Sequence, residues 1–481
     1  MIIKNRLIFT KNEKIFLFSF FLIYFLYIST FIHQGFNATD EGWIIQLGNR
    51  IKEGQIPYKD FHYNRPPLSI YKQALYITLI DNYSIFQSRL IWSFEIFLCL
   101  LLTFFIIRKV YETKNYYIFL LPVMFFVNIY FYFPSYTFDA VLFALISIYF
   151  LLASNFENKK FIIISGIFSF FSFLSKQNFL ILSISLFFLT FLNFVINKYR
   201  KLNLKPEPKI LPYYIFGFCI VAFPYIIYLI NTNTLYEFIY HVFILPNECL
   251  DLGNFFLFRG LIPFLYIPLI VMLTLTLVID FKNKILNFLR FIFVILFIPA
   301  IYLITNKFTV FLNTIALFLF LILTIQFVLT ISYKIKNKNN FSNQFITLIY
   351  YAFILQYMAG LAYSGLFISY PGFFLSLPIT IIILYNNFFC KSKHFIFFKI
   401  FIPKKLAILF LISITFLAIF IHQNFVYRDY PREFLTFPFS NEKMRGIFSN
   451  ENNVKKIDTL VNYIQKTQMK MIIFLFFRIS Q

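Results

Sequence analysis

Residues Ile85–Ile107 read IFQSRLIWSFEIFLCLLLTFFII, an unbroken run in which only Arg89 and Glu95 carry charge. A helix that crosses a bilayer needs about 20 mostly apolar residues, so this stretch predicts one. Runs of the same kind recur on either side. The earlier and middle ones are Ile15–Ile32, Tyr116–Phe133, Phe138–Ser154, Phe161–Leu174, Phe179–Ile196 and Ile210–Ile230. Later come Leu261–Ile279, Phe291–Ile304, Phe308–Ser332, Phe345–Ala362, Phe367–Tyr385 and Leu406–Ile421. The expectation is an all-α polytopic membrane protein of thirteen spans, with Phe161–Leu174 and Phe291–Ile304 as its shortest members.

Composition agrees. Of 481 residues, 60% are hydrophobic and 13% charged, against about 25% charged in a soluble chain. That excludes a soluble enzyme, a disordered chain and a disulfide-built secreted domain. The first span has no small-residue cleavage site behind it, so it is read as a retained helix and not a signal peptide.

The net charge of +23 would suggest nucleic acid in a soluble protein. Sorting the charges by side removes that reading. With the N-terminus inside, the seven inner segments hold 25 of the 43 Lys and Arg but only five acids, Glu13, Glu112, Glu157, Glu207 and Asp280. The remainder holds 18 basic and 15 acidic residues. This is the positive-inside pattern of a cytoplasmic membrane protein. An odd span number puts the C-terminus outside. The chain divides into a transmembrane domain, 1–421, and a short outer tail, 422–481.

The carboxylates therefore gather on the outer face, where the long segments are His33–Ser84, Asn231–Gly260 and the tail from His422. The first of these is the most informative. Asn37-Ala38-Thr39-Asp40-Glu41-Gly42-Trp43 opens an amphipathic helix with Trp43, Ile44, Leu47 and Ile51 on one face and Gln46, Asn49, Arg50 and Glu53 on the other. Gly54 is its natural stop. Pro66 and Pro67 break the chain before a second helix to about Ile80. Both helices are expected to lie in the membrane interface. Asp40 and Glu41 stand at the start of the first, either as a helix cap or as a general base with a second carboxylate that shares its proton, orients it or holds a metal.

Other polar residues are read in the same two ways. Asp139, in the turn from Pro134, is a helix-start residue or the edge of a functional cavity. Lys176 either snorkels to water or meets a lipid phosphate as a point charge. Arg89, near the outer end of its span, is a second phosphate candidate. Glu95 is deeper and is expected to pair with a polar group on another helix. Tyr58, His62 and Arg65 are either solvated loop residues, the default, or contacts to sugar or phosphate. Glu237 and His241, at i and i+4, read as a helix-surface pair because no third metal ligand is evident. Cys99, Cys219, Cys249 and Cys390 offer no like-sided pair. No glycine-rich phosphate loop, Asp-x-Asp, His-Glu-x-x-His or Gly-x-Ser-x-Gly occurs.

The ordered set Asp40-Glu41, Gly54-x-x-Pro57-Tyr58-x-Asp60, Pro66-Pro67-Leu68 and Arg89 resembles the GT-C-type membrane glycosyltransferases. Within them it is most similar to the bacterial branch of the protein O-mannosyltransferase and lipid A aminoarabinose transferase group. The resemblance covers roughly the first 180 residues. It implies a polyprenyl-phosphate-linked sugar donor, a glycan, lipid or protein acceptor, and a catalytic loop acid at Asp40 with Glu41 beside it. It also implies a second acid, Asp139, linked to a divalent metal (Mg or Mn) or to the phosphate site, and a Lys-containing turn at Lys176. Many such relatives carry a larger domain after the last span, so the tail looks abbreviated: Val454–Gln468 reads as a helix and Met471–Phe477 as an apolar strand. A lipid-linked saccharide transporter or flippase, or a glycan polymerase or ligase, are the alternatives. A transporter would be expected to show internal repeats and midplane polar residues.

Overall fold

A computed structural model describes residues 9–37, 40–111, 116–127, 134–200, 210–245, 343–360, 370–389 and 431–479, with scattered positions between 319 and 330 and between 412 and 430. Four helices within it are long and apolar enough to cross a membrane: α1 (Lys11–Ser29), α4 (Ile85–Val110), α6 (Tyr136–Ala153) and α9 (Ile210–Asn231). Between α1 and α4 lie two shorter loop helices, α2 (Glu41–Lys52) and α3 (Leu68–Leu79). The others are α5 (Leu120–Phe126), α7 (Lys159–Ser175), α8 (Leu180–Arg200), α10 (Leu235–Ile239), α11 (Asn343–Gly360), α12 (Phe373–Phe389) and α13 (Glu451–Ile479). The protein is a helical membrane protein. The expected spans Leu261–Ile279 and Phe291–Ile304 lie outside the described residues, as do most of Phe308–Ser332 and Leu406–Ile421.

Helix starts follow local chemistry. Thr10 and Glu13 form a reciprocal cap for α1, and Ser84 and Gln87 do the same for α4, each pair satisfying two backbone groups that the first turn leaves open. Glu13 also takes Arg108 Nε at 2.7 Å, joining the start of α1 to the end of α4. Tyr24 donates to the Ser93 carbonyl at 2.7 Å across the same antiparallel pair. The core runs from this pair through α6, α11 and α12, while the outward faces of α8 and α9 present Phe187, Phe188, Phe216 and Phe223. An apolar outside is what a bilayer demands of its solute.

The loop helices keep the expected boundaries. Glu53 caps α2, and Gly54 follows at φ +88°, a conformation that glycine adopts without strain. Ile44 and Leu47 are buried, Trp43 and Ile51 half-buried, and Gln46 exposed. Gly48 lets α2 lie on α3, because a Cβ there would meet Gln73 Cβ at 2.8 Å.

The tail packs onto the entrance of this loop. Strands β1 (Phe437–Pro438) and β2 (Phe448–Ser449) pair antiparallel. Phe448 exchanges backbone bonds with the 33–35 segment, donating to the His33 carbonyl at 2.8 Å and accepting from Gly35 N–H at 2.7 Å. Asp429 accepts from Phe36 N–H, Ser449 Oγ, Asn450 Nδ2 and Asn453 Nδ2 at 2.6–3.1 Å. Ile85, Phe439, Met444, Ile447 and Val454 form a small core beneath. The expected strand at Met471–Phe477 is corrected: these residues continue α13. A helix satisfies its own backbone groups, whereas a strand needs a neighbour to pair with.

Candidate functional site

Asp40 and Glu41 are adjacent in sequence but diverge at the start of α2. Glu41 is fully buried and faces α4, where Arg89 grips it with two bonds, Nε–Oε1 at 2.5 Å and Nη2–Oε2 at 2.8 Å. The remaining Arg89 N–H groups reach the carbonyls of Ile32 (2.8 Å), Gln34 (3.4 Å) and Gly35 (2.7 Å). A guanidinium has five N–H donors, and these bonds engage all of them. The reading of Arg89 as a phosphate ligand is therefore corrected. It is a buried clamp that holds the loop entrance and Glu41 to α4.

Asp40 occupies the N-cap position, yet its side chain does not cap the helix. Its Oδ2 accepts from Asn37 Nδ2 at 3.0 Å, its own N–H donates to Asn37 Oδ1 at 3.3 Å, and the residue is half-buried. Of the acidic pair, Asp40 alone retains access to solvent.

Trp43, three residues on and so on the same side of α2, stands 5.3 Å from the Arg65 guanidinium. Arg65 in turn lies 3.9 Å over the ring of Tyr136 at the head of α6. Among the described residues Arg65 forms no ion pair; its side chain donates to Asn64 Oδ1 at 3.3 Å. Lys176, buried where α7 gives way to a single 3-10 turn at Gln177–Phe179, lies within the field of Arg65. Burial, with repulsion from Arg65, pushes the Lys176 amine down to about 7. Arg65 is thus a cation against two aromatic rings, with the Lys176 amine near enough to feel its charge.

Tyr58 and His62 sit elsewhere in the loop. Tyr58 adopts φ +69°, is buried, and donates its hydroxyl to the Arg65 carbonyl at 2.5 Å. It shapes the 57–65 turn from inside, which corrects its reading as a substrate contact. His62 is exposed, with its ring edge-on to His241 at 4.3 Å. His241 Nε2 stands 3.4 Å from Glu237 one turn away, the helix-surface pair that the spacing suggests.

Asp139 is buried on the first turn of α6. Its Oδ1 meets Lys72 Nζ on α3, and its Oδ2 has no hydrogen-bond partner among the described residues. The same ammonium bonds both oxygens of Glu95, at 2.7 and 2.8 Å, and Tyr76 donates to Glu95 Oε1 at 2.9 Å. Burial alone would push Lys72 down; the carboxylates of Asp139 and Glu95 outweigh it, and the amine is raised. Glu95 thus finds the partner on another helix that its depth demands. Lys72 itself escaped the sequence reading. Its only signal is negative: two acids in or beside apolar spans require a cation, and Lys72 is the one basic residue of α3.

For the divalent metal that the resemblance implies at Asp40 or Asp139, no ligand set is found among the described residues. No three His, Cys, Asp or Glu side chains converge among the described residues, and Lys72 already faces Asp139 Oδ1. No protein-family model matches the chain, and no curated protein or solved structure is significantly similar to it.

Proposed function

We propose that the protein is an inverting membrane glycosyltransferase of GT-C type. In this reading thirteen spans cross the cytoplasmic membrane with the N-terminus inside, α2 and α3 lie in the outer interface, and a sugar arrives there on a polyprenyl phosphate. The observation that carries the reading is Arg65, half-buried against the rings of Trp43 and Tyr136 and without an ion pair among the described residues. A guanidinium held against aromatic rings without a carboxylate, with the buried Lys176 amine near enough to feel its charge, calls for an anion. A lipid phosphate satisfies it with the tail still in the bilayer.

The chemistry then divides among this chain's own residues. Asp40 takes the proton from an acceptor hydroxyl, whose oxygen attacks the anomeric carbon of the donor. The bond from that carbon to the phosphate oxygen breaks, and the lipid phosphate leaves with the electron pair. Arg65 and Lys176 receive the charge that develops on it. The transition state has oxocarbenium character. Asp139, itself negative, suits a sugar hydroxyl better than the phosphate, and its unpartnered Oδ2 is an acceptor for one. Glu41 acts at one remove, through Arg89, by fixing the start of α2 that carries Asp40.

The test is release of polyprenyl phosphate from a panel of polyprenyl-phosphate monosaccharides by the purified protein in nanodiscs. Asp40→Asn is expected to lower turnover about 10²–10⁴-fold, and Arg65→Ala to raise the donor KM. Turnover of Asp40→Asn equal to the parent removes the proposed base. Vesicles in which lipid-linked saccharide crosses the membrane without any sugar transfer would favour the transporter instead.

A further inference from the structure

Lys72 Nζ is shared by two carboxylates from different helices, Glu95 of α4 and Asp139 of α6, and three carboxylate oxygens surround it. An ammonium has three N–H donors and no acceptor, so this shell matches it bond for bond. Tyr76 completes Glu95 from one turn further along α3. A divalent cation at the same point would ask for about six oxygens at 2.0–2.6 Å. The cluster supplies these three, the free Oδ2 of Asp139 and the Tyr76 hydroxyl, and among the described residues no third acid joins it.

We infer that Lys72 is the built-in counter-cation of the Glu95–Asp139 pair, standing where a divalent metal would otherwise bridge α4 and α6, and that this site excludes such a metal while the ammonium is present. The arrangement has a mechanical side as well. The two acids belong to helices long enough to span the membrane, whereas Lys72 belongs to a loop helix, so the ammonium pins the loop to the bundle. Removing it would leave two buried carboxylates facing a space with nothing to balance them. Such a pair either takes up a proton or recruits a cation, and a small hard dication with water in its remaining positions is the natural occupant.

The inference does not depend on the transferase reading, because its readouts are metal occupancy and melting temperature. The full chain in zwitterionic nanodiscs is titrated with Mn²⁺ and followed by electron paramagnetic resonance. The parent is expected to show no bound Mn²⁺ that is lost on Asp139→Asn. Lys72→Ala is expected to bind about one equivalent, at least about tenfold more tightly than the parent, and its lowered melting temperature should rise with added Mn²⁺. Lys72→Ala/Asp139→Asn should lose both effects. A parent that binds one equivalent, lost on Glu95→Gln or Asp139→Asn, would overturn the inference, as would a folded Lys72→Ala with neither Mn²⁺ binding nor a lowered melting temperature. Where Lys72→Ala does not fold, the parent titration decides.

Discussion

Arg89 and Glu41 form a two-bond ion pair from which solvent is excluded on both sides, although 48 positions separate them in the chain. Only the guanidinium suits this position: its planar fork meets the carboxylate with two N–H groups and still reaches the carbonyls of Ile32, Gln34 and Gly35. Arg89→Lys keeps the charge and loses the fork. Breaking a buried pair costs about 3–5 kcal/mol, and Arg89→Lys is expected to show a large part of that as a lower melting temperature. An apolar double variant, Glu41→Met/Arg89→Met, removes the uncompensated charge but also the bonds that Arg89 donates to three carbonyls. It should therefore remain less stable than the parent. A double variant as stable as the parent would show that the carbonyl bonds contribute nothing.

The tail is predicted to stand or fall with Asp429, a single carboxylate that accepts from Phe36 N–H, Ser449, Asn450 and Asn453. Hydrogen bonds to a charged group contribute about 1.5–3 kcal/mol each, less than additively when they share one acceptor. Asp429→Ala should release the 437–449 hairpin and speed its cleavage by added protease severalfold. Because Phe36 lies four residues before Asp40, the same variant should also lower donor turnover in the assay above. Unaltered proteolysis would mean that β2 and the small core under it hold the tail unaided.

Helices α7 and α9 cross almost backbone to backbone. A Cβ on Gly166 would run into the Tyr214 carbonyl, and one on Gly217 into the Ile163 carbonyl. Small residues at helix contacts are how bundles pack where apolar burial gives no advantage over lipid. Ser147 and Ser165 add a hydroxyl contact at 3.1 Å, and Ser169 and Ser183 another at 2.6 Å, across neighbouring helices. Each Gly→Ala substitution must push backbone against backbone, so a cost of about 1–3 kcal/mol or more is expected, read as a lower thermal midpoint. A neutral Gly217→Ala would mean that the helices separate freely.

How far the chain could be read in advance depended on the distance over which each feature is decided. The loop helices are set locally, by Gly54 at one end and Pro66-Pro67 at the other, and their boundaries were legible to within a residue or two. Asp40 and Glu41 were legible as a pair but not as opposites. Successive helical residues point about 100° apart, and which of them turns toward α4 depends on Arg89, a residue from another element. Lys72 was not legible because its role needs α3, α4 and α6 together. The run Met471–Phe477 is apolar throughout, a pattern that does not tell a buried strand from a helix; continuity with Glu451 decided it.

Lys176 yields a prediction in pH. Folding lowers its amine to about 7 from the ordinary 10.5, first through burial and then through Arg65. Between those two values the unfolded chain binds a proton that the folded chain does not, so stability rises with pH across the window. Below about 7 the folded protein carries the buried charge in full, and its cost no longer changes. Lys176→Met lacks this term. The melting temperature of the parent should therefore climb relative to Lys176→Met between about pH 7 and pH 10. Anion binding runs the opposite way: a lipid phosphate favours the charged amine, so polyprenyl phosphate should compete for the donor more strongly below pH 7 than above it. In Lys176→Met the competition should be weaker and its pH dependence should flatten. Parallel melting curves for the two proteins, together with a pH-independent competition, would remove Lys176 from the proposed phosphate site.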